Sequence, residues 1–120
     1  MRNMSCALTT PQVRGRTKLV TRRLGWVDLR PGELVQLCEK CMGRKPGEPL
    51  VRLEVVRIVS VRRERLDRLE RLPRYGALEC RLEGFPEKTP AEFVAFFCAT
   101  HRGCTPKTTV TRIAWHYEGA

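Results

Sequence analysis

Three residues near the start of the chain have types and spacing that could do chemistry: Lys18, Thr21 and Arg23, in the run Lys18-Leu-Val-Thr21-Arg22-Arg23. A lysine that loses solvent loses part of its preference for the charged form, and the neutral amine is then a usable base for a neighbouring threonine hydroxyl acting as nucleophile. With the lysine charged instead, Lys18, Arg22 and Arg23 would hold phosphate groups or base edges, and Trp26 or Tyr75 could give a base a flat surface. Regular strand geometry works against either use. Side chains alternate with period two, which puts Thr21 and Arg23 on one face and Lys18 with Arg22 on the other. A shared site therefore needs a bend or bulge between Lys18 and Thr21, or a long lysine stem curling over the strand edge. The competing reading leaves these cations solvated on the surface and packs Trp26 and Tyr75 into the core.

A second set of residues has metal-ligand character. Cys38-x-x-Cys41 in a glycine-rich loop and Cys98-x-x-His101-x-x-Cys104 at a helix end have the types and spacings of a tetrahedral zinc site, with His101 as a substitute ligand. The alternative is that these cysteines are reduced and packed as small hydrophobes, without any cofactor, while His101 reaches a phosphate or caps a helix C-terminus. No Ser-His-Asp arrangement, phosphate-binding glycine loop or dinucleotide fingerprint is recognisable, which sets aside triad hydrolases, P-loop enzymes and Rossmann dehydrogenases.

The net charge of +10 on 120 residues makes a positive field that draws in polyanions, so RNA or a nucleoside is the expected partner. An excess of 18 Arg over 5 Lys also arises from a GC-rich genome, with guanidiniums that bind nothing. No apolar run approaches the roughly 20 residues of a spanning helix, and the start lacks the apolar core of a secretion signal, so no membrane partner and a cytoplasmic address are expected. Reduced cysteines fit that compartment.

The elements that must position these residues follow from the pattern of apolar and turn residues. Residues 4–9 form a short strand, Thr10-Pro11 starts a brief helical turn that Gly15 ends, and 17–23 is the next strand. After the Pro31-Gly32 turn, 33–38 has strand character. Residues 50–61 are the longest β signal, with Val51, Leu53 and Val55 on one parity before Val56 and Ile58 take over the other, a switch that calls for a bulge or a strand covered on both sides. Residues 66–72 and 75–83 have helical spacing, the latter with Tyr75, Leu78 and Leu82 on one face and Glu79 and Glu83 on another. Thr89-Pro-Ala-Glu92 is a capping box for a helix over 90–99 whose apolar face is Phe93, Val94, Phe96 and Phe97. A strand over 109–117 closes a single domain spanning 1–120, of the α+β class.

The segment Gly15-Arg-Thr-Lys18-Leu-Val-Thr21-Arg22-Arg23 resembles the signature of ASCH domains, a glycine followed by Lys-x-x-Thr-x-Arg. The likeness extends through Trp26, Pro31-Gly32-Glu33, Glu64, Glu83-Gly-Phe-Pro86, Pro90-Ala-Glu-Phe93 and Val110-Thr-Arg-Ile113. This resemblance implies a PUA-like mixed β-barrel with short helices covering its openings, and it implies RNA or nucleoside binding in a basic cleft. It also implies an alternative, because some members are amidohydrolases acting on N4-acetylcytidine, with a lysine, a threonine and a downstream glutamate as the catalytic group, and another is a ribonuclease. Matched residue by residue, that group would be Lys18, Thr21 and Glu83, with Glu79 one helical turn earlier as the competitor. A third reading, a zinc-stabilised interaction module, would use Cys38, Cys41, Cys98 and Cys104.

Overall fold

The structure, a computed structural model, describes residues 1–119. Its α+β architecture is a strongly curled five-stranded sheet, a half-barrel, with several short helices. The strands are β1 (Arg2–Ser5), β2 (Val20–Arg23), β3 (Leu34–Cys38), β4 (Arg52–Arg65) and β5 (Thr109–Tyr117), in the spatial order β1-β3-β4-β5-β2. β1 runs parallel to β3, and every other pairing is antiparallel. The helices are α1 (Thr10–Arg14), the single turn α2 (Arg68–Arg71), α3 (Pro73–Leu82) and α4 (Pro90–Thr100). No helix among the described residues is long and apolar enough to cross a membrane.

The parity switch in β4 has its cause in two extra residues. Opposite β3 the register jumps from Cys38↔Arg52 to Leu37↔Glu54, leaving out Leu53; opposite β5 it jumps from Ile58↔Trp115 to Ser60↔Ala114, leaving out Val59. Each bulge moves the next apolar residue to the other side of the strand and sharpens the twist, which is how a 14-residue strand wraps a small core. Val56 and Ile58 are buried between the bulges, with Leu53 and Val61 packed at the margins of the same cluster.

Two apolar clusters result. One fills the half-barrel with Met4, Val13, Val35, Leu37, Val56, Ile58, Ile113 and Trp115. The other lies under the helices, where Leu66, Leu69, Phe85, Phe93, Val94, Phe97 and Val110 meet. α4 starts as expected: Thr89 Oγ1 accepts from the Glu92 amide at 3.1 Å, and Glu92 Oε1 accepts from the Thr89 amide at 2.9 Å. The face of α3 is reversed from the expectation. Glu79 and Cys80 are buried with Gly76, while Leu78 is exposed.

Candidate functional site

Lys18 stands outside β2, so strand alternation does not govern where it points. The chain leaves α1 through Gly15 and Arg16, the latter at φ 57°, and the amides of Thr17 and Lys18 both donate to the Gln12 carbonyl at 2.9 and 3.3 Å. Leu19 then donates to the Leu82 carbonyl at the end of α3, and the Leu19 carbonyl accepts from the Trp115 amide of β5. The Lys18 carbonyl accepts from the Trp115 indole N–H at 3.0 Å and from the Tyr117 hydroxyl. Anchored in this way, the buried lysine sends Nζ to Glu83, donating to its carbonyl at 2.9 Å and to Oε1 at 3.0 Å. Gly84, at φ +96°, turns the chain immediately after Glu83, and a Cβ there would meet the Gln12 side chain at 2.8 Å.

Beneath this pair lies a network of buried charges. The register of the sheet sets Arg22, Arg112 and Arg62 side by side across β2, β5 and β4. Like charges directly opposite one another repel. Carboxylates intervene: Glu79 accepts from Arg22 at 2.6 Å and from Arg112 at 2.8 and 3.0 Å, Glu83 Oε2 accepts from Arg22 at 3.1 Å, and Glu64 Oε1 accepts from Arg22 at 3.1 Å. This arginine row is the reason α3 presents its acidic face inward. Burial by itself pulls Arg22 down, but Glu83, Glu79 and Glu64 more than reverse this and hold its pKa above the ordinary arginine value. Burial pushes Glu79 up, yet hydrogen bonds and charge from Arg112 and Arg22 leave it below the ordinary carboxylate value. Lys18, Arg22 and Arg112 against Glu64, Glu79 and Glu83 make three cations and three carboxylates.

Above the network opens a cleft of about 250 Å³. Lys18, Thr21, Arg23 and Glu83 all line it, facing an aromatic wall of Phe85, Phe93, Phe96 and Phe97. Thr21 is buried, and its Oγ1 accepts from Arg23 Nε at 3.1 Å. Arg23 also reaches Cys6 Sγ at 3.6 Å, and among the described residues no carboxylate pairs with it. It is the uncompensated cation of the cleft.

Of the other expected site residues, Arg22 and His101 also border the cleft, whereas Trp26, Tyr75, Cys38, Cys41, Cys98 and Cys104 do not. Arg22 cannot meet a phosphate from solvent, because it is 3% exposed and both terminal nitrogens are held by carboxylates. Trp26 lies away from the cleft lining, packed against the half-barrel core with the Arg2 guanidinium 4.1 Å over its ring. Tyr75 turns its hydroxyl to Glu64 at 2.7 Å, and burial followed by that bond raises its pKa. The cysteines of the expected zinc set are not brought together: among the described residues no three His, Cys, Asp or Glu side chains gather where they could hold a metal ion. Cys38 belongs to a buried strand end beside Cys41, while Cys98 and Cys104 pair with each other, sulfurs 3.8 Å apart. Burial, helped by Cys104, pushes the Cys98 thiol up to about 11. His101 caps α4, stacking on Phe97 at 3.8 Å with Nδ1 2.8 Å from the Phe97 carbonyl.

No family model, no curated protein and no solved structure matches this chain. The site must be read from its own geometry. Sequence reasoning missed Glu64, Arg112 and the aromatic wall as parts of it. Phe93, Phe96 and Phe97 were legible as the apolar face of α4, but that one edge of this face, joined by Phe85 from the preceding loop, stays open to a cleft depends on how α4 packs. Arg112 carried a signal: a charged residue between Val110 and Ile113 in a strand otherwise rich in apolar residues.

Proposed function

We propose that the cleft binds one nucleoside unit, free or within an RNA chain, with the base against the phenylalanine wall and the phosphate or ribose at Arg23. The observation that carries this is Arg23 itself, a half-buried cation without a carboxylate partner among the described residues, beside a threonine hydroxyl and opposite four aromatic rings. Aromatic faces stack on any base, and a guanidinium fork matches phosphate oxygens, so the two sides of the cleft suit the two ends of a nucleotide. At about 250 Å³ it falls just below the roughly 300–1,000 Å³ of pockets that enclose drug-sized ligands, which fits a single unit. The likeness to ASCH domains supports the same reading. Calorimetry with nucleoside monophosphates tests it: Arg23→Gln removes a charge-assisted bond of about 1.5–3 kcal/mol and weakens binding by about tenfold or more. No binding of any nucleoside or monophosphate at low salt would defeat the proposal.

A second reading, amide hydrolysis on an acylated cytidine or cleavage of single-stranded RNA, is favoured by one arrangement: Lys18, Thr21 and Glu83 line the same cleft. For the acylated cytidine, the Thr21 hydroxyl would add to the acetyl carbonyl as a neutral Lys18 takes its proton. The bond from carbonyl carbon to N4 would break with that proton passing to N4 of the released cytidine, and water would then hydrolyse the Thr21 ester to acetate. Lys18 Nζ is engaged by Glu83 through bonds of 2.9 and 3.0 Å and has none to Thr21, an arrangement that suits binding better than this chemistry. Incubation with N4-acetylcytidine and with single-stranded RNA, followed by chromatography, decides between them. Turnover that persists in both Lys18→Ala and Thr21→Ala would remove these residues from any catalytic role.

A further inference from the structure

The run Arg65-Leu-Asp-Arg68-Leu-Glu-Arg71-Leu places arginine and leucine at spacings of three, and nothing in the cleft uses it. In the structure this run is the corner where β4 passes into α2. The Leu66 amide donates to the Thr108 carbonyl and the Asp67 amide to the Pro106 carbonyl, both at 2.8–2.9 Å, which fixes the corner to the start of β5. Leu66 and Leu69 are fully buried there. Their burial turns the arginines outward, where Arg63, Arg65, Arg68 and Arg71 line a second concavity of about 380 Å³ with Leu72 at its rim.

The charges of this groove are not balanced. Asp67 neutralises Arg65 through bonds of 2.6 and 3.1 Å. Glu64 is shared by Arg62 at 3.8 Å and Arg68 at 3.5 Å, although its charge already offsets Arg22. Arg63 donates to neutral acceptors, Thr111 Oγ1 at 2.7 Å and the carbonyls of Leu24 and Thr109. Arg71 has no ion pair among the described residues. Arg63 and Arg71 thus stand on a concave surface with no carboxylate of their own among the described residues, and the exposed Arg71 has its planar fork, which matches phosphate oxygens, free of side-chain bonds.

We propose that this arginine groove is a second binding site, for the phosphodiester backbone of a single-stranded nucleic acid. Its lining is four arginines, the buried Glu64 already committed to Arg22, and one exposed leucine, a net positive surface that suits a polyanion tracked by its phosphates more than a surface read by its side chains. The groove does not depend on the cleft being a nucleoside site, since the two share no lining residue.

Fluorescence anisotropy of labelled oligouridylate and oligothymidylate of equal length, titrated with the full chain between 50 and 200 mM salt, tests the proposal. Each phosphate contact contributes about 0.7 to the slope of log affinity against log salt for single strands, so Arg63→Gln with Arg71→Gln lowers the slope by about 1.4, and affinity at 50 mM salt falls by more than about tenfold. Arg71→Gln alone removes no ion pair and no tertiary bond, and it lowers the slope by about 0.7 even if the double variant fails to fold. Comparable loss for RNA and DNA marks recognition of the phosphates. Monophosphate binding in the cleft, followed on the same variants by calorimetry, stays as in the parent chain, so failure of the cleft reading and failure of the groove are seen separately. An unchanged slope in both groove variants would overturn the site, as would tighter binding of a glutamate-rich peptide of equal charge than of either oligonucleotide.

Discussion

Arg22 has its full positive charge inside the protein, and three carboxylates from two segments make that tolerable: Glu64 at the end of β4, and Glu79 and Glu83 in α3 and at its C-cap. Its Nε has no hydrogen-bond partner, so the guanidinium is held entirely from its two terminal nitrogens. A buried ion pair gives modest net stability over an apolar pair, but removing one member leaves a naked charge. Glu79 serves Arg22 and Arg112 together and is 1% exposed, so Glu79→Gln is expected to cost about 3–5 kcal/mol in chemical denaturation. The same substitution at Glu70, exposed in α2, is the control that changes stability by less than about 0.5 kcal/mol. Lys18, Thr21 and Glu83 were legible as a candidate set before any fold was known, and the chain does bring them to one cleft. The neutralising carboxylates beneath them were not legible as a network. Which arginines stand in a row is a property of the register of β2, β5 and β4, and no local spacing encodes it.

At the level of elements, close approach decides more than propensity. α3 packs on α2 so tightly that a Cβ built on Gly76 would lie 2.0 Å from the Leu69 carbonyl oxygen and 2.8 Å from a Pro90 ring carbon. Backbone cannot give way as a side-chain tip can, so Gly76→Ala forces α3 away from α2 and draws Glu79 off the arginine row. The loss, read by thermal or urea denaturation, is expected near about 3 kcal/mol, the upper end of overpacking costs, although alanine is the better helix former. Near-unchanged stability would show that α3 docks differently. The capping box of α4 was visible in the sequence as Thr89 and Glu92 at the right spacing, and a single change of parity in β4 left a bulge or a strand covered on both sides open, where the structure has two bulges. The buried face of α3 was not. An amphipathic pattern ordinarily turns leucines inward, and here Leu78 faces solvent because cations on the sheet attract the opposite face.

For the molecule as a whole, the balanced network ties stability to acidity. Glu79 titrates below its ordinary value of 4.5 in the folded chain, so it contributes stability that is present above that value and lost as the pH falls through its depressed folded value. Melting temperature is expected to hold between about pH 7 and 5 and to fall steeply below about pH 4.5, with a shallower fall in Glu79→Gln. A profile identical in parent and variant would show that other carboxylates carry the acid transition. The sheet order has a bearing on how the molecule comes into being. β2 is an outer strand whose neighbour is β5, almost a hundred positions later in the chain, and the carbonyl of Lys18 is pinned by Trp115 and Tyr117. During synthesis, then, Lys18, Thr21 and Arg23 leave the ribosome early and wait without a partner strand until the segment Thr109–Tyr117 follows. Every residue that lines the cleft precedes β5, yet β5 supplies Arg112 and the pairing that places β2, so a nascent chain stalled before β5 carries the lining of the cleft without its geometry.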